Sequence, residues 1–241
     1  MINGSGFGYG NRGQSPMYAT ASNSAADAAA LMSRVSYLLC TALLITAAGC
    51  YLGRDLSPTL FWPLAIGSFA CVIGVNFARN NPPLGLTLLY VLSLLEGLLL
   101  APLVTMLART PAGAQMVEGA FAITAVLMAG LGSYVWISGA DFIGLGKYLL
   151  YGIIGLVLIG ILSWFVRPLM MSPQFNMLYC LAGVAIFTGF ALYDFSNIKL
   201  RYGPNDYVIA TVQLYLDFLN LFLFILRILM MLGGGGGSNR R

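Results

Sequence analysis

Apolar residues run almost unbroken through seven stretches of this chain, and polar residues gather in the gaps between them. The stretches cover about 33–53, 60–79, 84–107, 117–137, 147–166, 176–198 and 207–231. Each is close to the roughly 20 residues that an α-helix needs to cross the hydrocarbon of a bilayer. None alternates apolar with polar, as a strand of a membrane barrel does. The pattern predicts seven membrane-spanning helices joined by short turns, among them "NNPP" (80–83) and "KLRYGPND" (199–206). Pro102, inside the third span, is expected to bend it. Trp62, Trp136, Trp164, Tyr148 and Tyr151 sit at span ends, where interfacial anchors belong. The glycines of "GIIGLVLIG" (152–160) and "GVAIFTGFA" (183–191) read as points of close helix contact.

The flanks have a different texture. Residues 1–28 open with five glycines, Gly4, Gly6, Gly8, Gly10 and Gly13, followed by Ser and Asn, and are expected to form a flexible tail. Residues 233–241 read as a second flexible tail, leaving 29–232 as one seven-helix transmembrane domain.

Composition narrows the function classes. Hydrophobic residues make up 59% of the chain and charged residues 8%, against roughly 25% charged in a soluble domain. A net charge of +4, dispersed along the chain, does not suggest nucleic acid. Histidine is absent, which removes His-based hydrolases, haem proteins and most zinc sites. Cys40, Cys50, Cys71 and Cys180 lie in apolar runs without C-x-x-C spacing and read as small buried hydrophobes. "AAGC" (47–50) faintly resembles a lipoprotein cleavage site, but the segment before it is too long. No cofactor is expected. Arg12, Arg34, Arg79, Lys147, Lys199 and Arg201 fall on the N-terminal side of the spans. Arg54, Arg109, Arg167, Arg240 and Arg241 fall on the other, so the bias favours a cytoplasmic N-terminus. Short turns and the lack of a eukaryotic targeting segment point to a bacterial inner membrane, and a monomer is expected.

Three acids are placed inside spans: Glu96, Asp194 and Asp217. A carboxylate at the bilayer centre costs a few kcal/mol and its short stem cannot snorkel far, so such groups face the bundle interior. In the seventh span Gln213, Asp217, Asn220 and Arg227 are spaced by 4, 3 and 7 and share one helical stripe. In the sixth, Asp194, Asn197 and Arg201 are spaced by 3 and 4. Two consecutive antiparallel helices thus each carry an aspartate on a polar stripe. Two carboxyls facing each other in low dielectric share a proton and titrate as a unit, a pH sensor made without histidine. The alternative is a static polar network that only fixes helix register. Arg79, on the same side, is the candidate counter-charge. Glu96 either lines the same cavity or is a neutral, hydrogen-bonded acid. Asp141 reads as a helix cap or a solvated charge.

These residues carry a resemblance. "LYDFSNI" (192–198) and "DYVIATVQLYLDFLNLFLFILRIL" (206–229) resemble the C-terminal signature of the Bax inhibitor-1 family. Weaker echoes are "EGLLLAPL" (96–103), "GS" (132–133) and "DFIGLGKYL" (141–149). The Gly-rich start and the missing basic run before Asp141 depart from the commoner pattern. The resemblance implies an all-α membrane protein with two three-helix layers around a central C-terminal helix. It implies that the family's aspartate pair falls on Asp194 and Asp217 and its arginine on Arg79. It also implies a pH-sensitive calcium leak and, in eukaryotic members, suppression of cell death.

The leading expectation is a calcium or other cation leak gated by Asp194, Asp217 and Arg79. Glu96, Gln213, Asn220, Asn197 and Arg227 are candidate path lining. Calcium would meet Asp194 and Asp217 weakly and transiently, since a tight site takes six to eight oxygens. A second reading is a non-transporting regulator that binds other membrane proteins. A third is an intramembrane aspartyl protease, disfavoured because Asp217 stands in Leu-Tyr-Leu-Asp rather than Gly-x-Gly-Asp. The expected class is therefore not an enzyme.

Overall fold

The computed structural model describes residues 16–165 and 172–234. Arg12, Arg167, Arg240 and Arg241, used above for orientation, lie outside the described residues, as do 1–15 and 235–241 of the two tails. Among the described residues there are α-helices and short 3-10 turns and no strands. The helices are α1 (Pro16–Leu52), α2 (Phe61–Phe77), α3 (Pro82–Ala108), α4 (Pro111–Ser138), α5 (Gly146–Phe165), α6 (Pro173–Leu200) and α7 (Tyr207–Gly234). Six are long and apolar enough to cross a membrane, and α2, with 17 residues, is shorter. At 1.5 Å per residue α2 spans about 25 Å, the low end of a crossing.

Two boundaries differ from the sequence expectation. The tail expected over 1–28 is helical from Pro16 onward. The reason is local: Pro is favoured at the first helical position, and 19–30 is rich in alanine, the strongest helix former. At the other end α7 runs to Gly234, just past the expected start of the second tail. Pro102 lies inside α3, which continues through it.

The helix ends are closed by local chemistry. The Asn81 side chain accepts from Leu84 N at the start of α3, and Thr110 Oγ1 accepts from Gly113 N at the start of α4. At the end of α4, Gly139 takes φ +67°, and Lys199 Nζ of α6 donates to the carbonyls of Val135 and Trp136 at 2.8 and 3.2 Å. Asp141 Oδ1 accepts from Ile143 N at 2.8 Å and caps the 3-10 turn before α5.

The core is organised on α7. It packs against α1, α2, α3, α4 and α6, while α5 packs on α6. Tyr215, Leu214, Leu221 and Leu226 of α7 are fully buried. By contrast Val157, Leu158, Ile161 and Leu162 of α5 are exposed, a surface suited to lipid. The backbones of α1 and α3 approach closely. A Cβ on Gly49 would lie 2.7 Å from Leu94 O and 3.0 Å from the Cα of Gly97. A Cβ on Gly97 would meet Thr46 O and, at 2.9 Å, the Cα of Gly49. Of the glycines expected at contacts, Gly152, Gly160, Gly183 and Gly189 face side chains of a neighbouring helix, whereas Gly155 faces open space.

Gly97→Ala is therefore expected to push α1 from α3 and cost about 1–3 kcal/mol, and Gly155→Ala to be neutral or to stabilise by up to about 1 kcal/mol. Thermal unfolding of the detergent-solubilised variants followed side by side checks this; equal melting temperatures would remove the claim of close packing at Gly97.

Candidate functional site

Asp194 of α6 and Asp217 of α7 are brought together. Each is 4% exposed, and their carboxyls lie close enough to interact directly. A hydrogen bond between two carboxyl groups needs a proton on one of them. Asn197, one turn along α6, also reaches the Asp194 carboxyl. Asp194 Oδ1 and Asp217 Oδ2 are buried and find no donor among the described residues. Unsatisfied acceptors at this depth are costly. The arrangement is thus a carboxyl dyad with spare acceptor capacity, held where α6 and α7 pack.

The side chains between the dyad and the near end of the bundle are paired. Tyr202, just past α6, donates its hydroxyl to Gln213 Oε1 at 2.7 Å. Gln213 is one turn before Asp217 on α7, so this bond lies over the dyad. Burial pushes the Tyr202 phenol above its ordinary range, with the Gln213 bond working the other way. Ser196, also of α6, is fully buried and its Oγ accepts from Phe142 N at 3.2 Å, tying the α4–α5 connection to α6.

Arg79 is not at the dyad. Its guanidinium pairs with Asp206, with Nη2 and Nε each 2.9 Å from Oδ1. The expectation that Arg79 faces Asp194 is corrected here. Arg79 lies beyond the end of α2, and a long cationic side chain at a helix end turns toward water. Asp206, in the turn before α7, is at that level. Its other oxygen accepts from Gly203 N at 2.9 Å, so the same carboxylate closes the α6–α7 turn and ties it to α2.

The remaining candidates fall into separate places. Glu96 of α3 accepts a hydrogen bond from Ser68 of α2. Near it, Tyr215 OH and Thr46 Oγ1 are 2.7 Å apart, and Thr46 also bonds the carbonyls of Ala42 and Ser93. This cluster is carried by α1, α2, α3 and α7 and is distinct from the dyad. Asn220 donates back to Leu216 O at 2.7 Å, and with Arg227 lines a cavity of about 320 Å³ that also takes in Tyr179 and Leu103. Arg227 reaches the Cys180 thiol. Among the described residues no group of three or more acidic, thiol or imidazole side chains gathers as a metal site. The sequence reading did not find Tyr202 or Asp206; both were assigned to a turn. A Tyr and an Asp beside a Gly-Pro turn, flanked by two acid-bearing spans, were the available signal.

Comparison with known proteins follows from this geometry. Residues 28–234 match the family described as inhibitor of apoptosis-promoting Bax1. Protein lifeguard 4 of Mus musculus is 34% identical over 173 residues, covering 72% of this chain and 69% of the relative. The Golgi anti-apoptotic protein of vaccinia virus is 31% identical over 209 residues, covering 83% and 84%. An uncharacterised protein of Campylobacter jejuni is 33% identical over 203 residues, covering 80% and 84%.

The two roles of Asp206 separate by mutation. The exposed Arg79–Asp206 pair is expected to contribute about 0.2–1 kcal/mol, so Arg79→Gln is mild. Asp206→Ala also frees Gly203 N and is expected to cost about 1 kcal/mol more. A double-mutant cycle on the melting free energy checks both values.

Proposed function

This chain belongs to the family of inhibitors of apoptosis-promoting Bax1, and we propose that it is a pH-sensitive cation leak, with calcium as its cargo, gated by the Asp194–Asp217 dyad. The observation that carries this reading is a pair of adjacent carboxyls on helices packed together, each 4% exposed, in a protein with helices long and apolar enough to span a membrane. A single proton decides whether the pair attracts or repels. At an effective dielectric of about 20, two like charges 4 Å apart repel by roughly 4 kcal/mol, enough to shift a helix-packing equilibrium by orders of magnitude. The dyad supplies two acidic groups and Asn197 one carbonyl, far short of a tight calcium shell. Weak, passing contact fits a slow leak.

In this reading the Tyr202–Gln213 hydrogen bond separates the dyad from water at one end. Arg79 and Asp206 hold the α6–α7 turn over it. Arg79 acts on the gate through the turn and not on Asp194 directly. Asn220 and Arg227 line the path toward the opposite end. We place the helices in two layers, α1–α3 and α4–α6, around α7. That α1 and α2 pack on α3, that α4 and α5 pack on α6, and that α7 touches both groups supports this arrangement. The site performs transport without bond-breaking chemistry, in a bacterial inner membrane with the N-terminus cytoplasmic.

A second reading is favoured by the name of one relative, the Golgi anti-apoptotic protein: a regulator that binds other membrane proteins and carries no ion. The two readings part in a purified system. Calcium entry into dye-loaded liposomes across pH 5 to 9 is expected to vary with pH for the wild-type chain and to lose that variation in Asp217→Asn. Gln213→Leu, which removes the acceptor of Tyr202, is expected to raise basal flux severalfold. Flux absent from pure liposomes at every pH would sink the leak and favour the regulator.

A further inference from the structure

A second site, distinct from the dyad, lies beside residues 218–222 of α7, just past Asp217. A crevice of about 420 Å³ opens among α1, α3, α4 and α7. Ala47, Leu100, Val104, Phe121 and Phe222 are among its walls, and one acid, Glu118, lines it. Thr46 Oγ1 also borders the crevice but is committed to three partners, Ala42 O, Ser93 O and Tyr215 OH. Glu118 is exposed. The ion pairs among the described residues are Arg54–Asp55 and Arg79–Asp206, so no cation among those residues pairs with it.

The depth of Glu118 decides what could meet it. Helix α4 has 28 residues, about 42 Å against a hydrocarbon thickness of about 30 Å, so a centred helix overhangs by about 6 Å at each end. Glu118 is the seventh residue after Pro111, about 10 Å along the axis. Its carboxylate thus stands within a few ångström of the boundary between acyl chains and head groups. An unpaired carboxylate there attracts a cationic head group, while the crevice behind it is shaped for hydrocarbon and holds no free polar partner.

We propose that this crevice binds an amine-headed phospholipid of the surrounding bilayer, with one acyl chain between α1, α3, α4 and α7 and the protonated amine on Glu118. The aromatic rings of Phe121 and Phe218, 5.4 Å apart edge to face, form a rigid wall beside the chain. Phosphatidylglycerol, which has no amine, meets only repulsion from the carboxylate. Because Leu219 and Phe222 of α7 line the crevice, the lipid touches the helix that carries Asp217.

The test is to reconstitute the full chain in vesicles of equal phosphatidylethanolamine and phosphatidylglycerol, extract it gently and weigh the retained lipid by native mass spectrometry. Retention of phosphatidylethanolamine over phosphatidylglycerol by about fivefold is expected, the effect of one partly screened ion pair. Glu118→Gln is expected to bring that ratio to about one, and Ala47→Phe, which fills the crevice, to remove the retained lipid while Glu118 stays in place. Equal retention of both lipids by the wild type overturns the proposal. So does an unchanged ratio in Glu118→Gln, or wild-type retention by Ala47→Phe. Because Glu118→Gln changes an exposed side chain, folding is not at stake in that arm.

Discussion

A carboxyl group in the middle of a membrane protein must be surrounded by protein, and this requirement shapes the helix packing. Asp217 can be 4% exposed because α7 is flanked by five other helices. Burying a carboxylate alone costs several kcal/mol. The cost is offset by a second carboxyl that shares a proton, and the sharing partner must come from the neighbouring helix at the same depth. Asp194 meets that condition because α6 and α7 are consecutive and joined by a tight turn. The turn therefore sets the depth match of the dyad. Asp206, which closes the turn through Gly203 and fastens it to Arg79, thereby supports the dyad from outside the membrane core.

The same problem is solved differently on the other side of α7. Glu96 meets Ser68, and Tyr215 meets Thr46, so that these groups are joined by hydroxyls rather than by a second acid. A hydroxyl both donates and accepts and can satisfy a carboxyl in either protonation state. Two carboxyls cannot do so: removing their shared proton turns a bond into a repulsion. The Glu96 cluster therefore stabilises packing across a range of pH, and the dyad is the bistable element. Within the proposed leak, this is a physical reason to assign gating to Asp194 and Asp217 and to leave Glu96 with a structural role. It also lets the close contact of Gly49 and Gly97 persist beside Glu96, since nothing there must move.

Most of the architecture was legible in the apolar runs, and the dyad was legible in the spacing of polar residues within two of them. Helical periodicity says which residues share a face, and a short turn says which helices are neighbours, so Asp194 and Asp217 could be matched without a structure. Arg79 could not be placed in the same way. Position in the sequence identified the end of the bundle it belongs to, yet not its level along the membrane normal. Asp194 lies six residues before the end of α6, about 9 Å inside it, while Arg79 lies beyond the end of α2. The acid at the matching level was Asp206, hidden in what reads as an ordinary Gly-Pro turn. The helical start at Pro16 was missed because glycine in the first thirteen residues dominated the reading of the tail, although alanine follows it.

Glu118 marks where such reading stops. In sequence it stands at the edge of an apolar run and looks like a boundary charge. The structure adds what sequence cannot supply: the helix extends seven residues before it, and other helices leave a crevice beside it. A boundary charge normally faces water and has no partner to explain. One placed near head-group depth beside an apolar cleft has both an electrostatic and a hydrophobic reason to attract a lipid of the bilayer. Filling it would add apolar contact to α1, α3, α4 and α7 together, with no effect on the dyad's own hydrogen bonds. A lipid held there would stiffen α7 over residues 218–222, directly after Asp217, where it faces α1, α3 and α4.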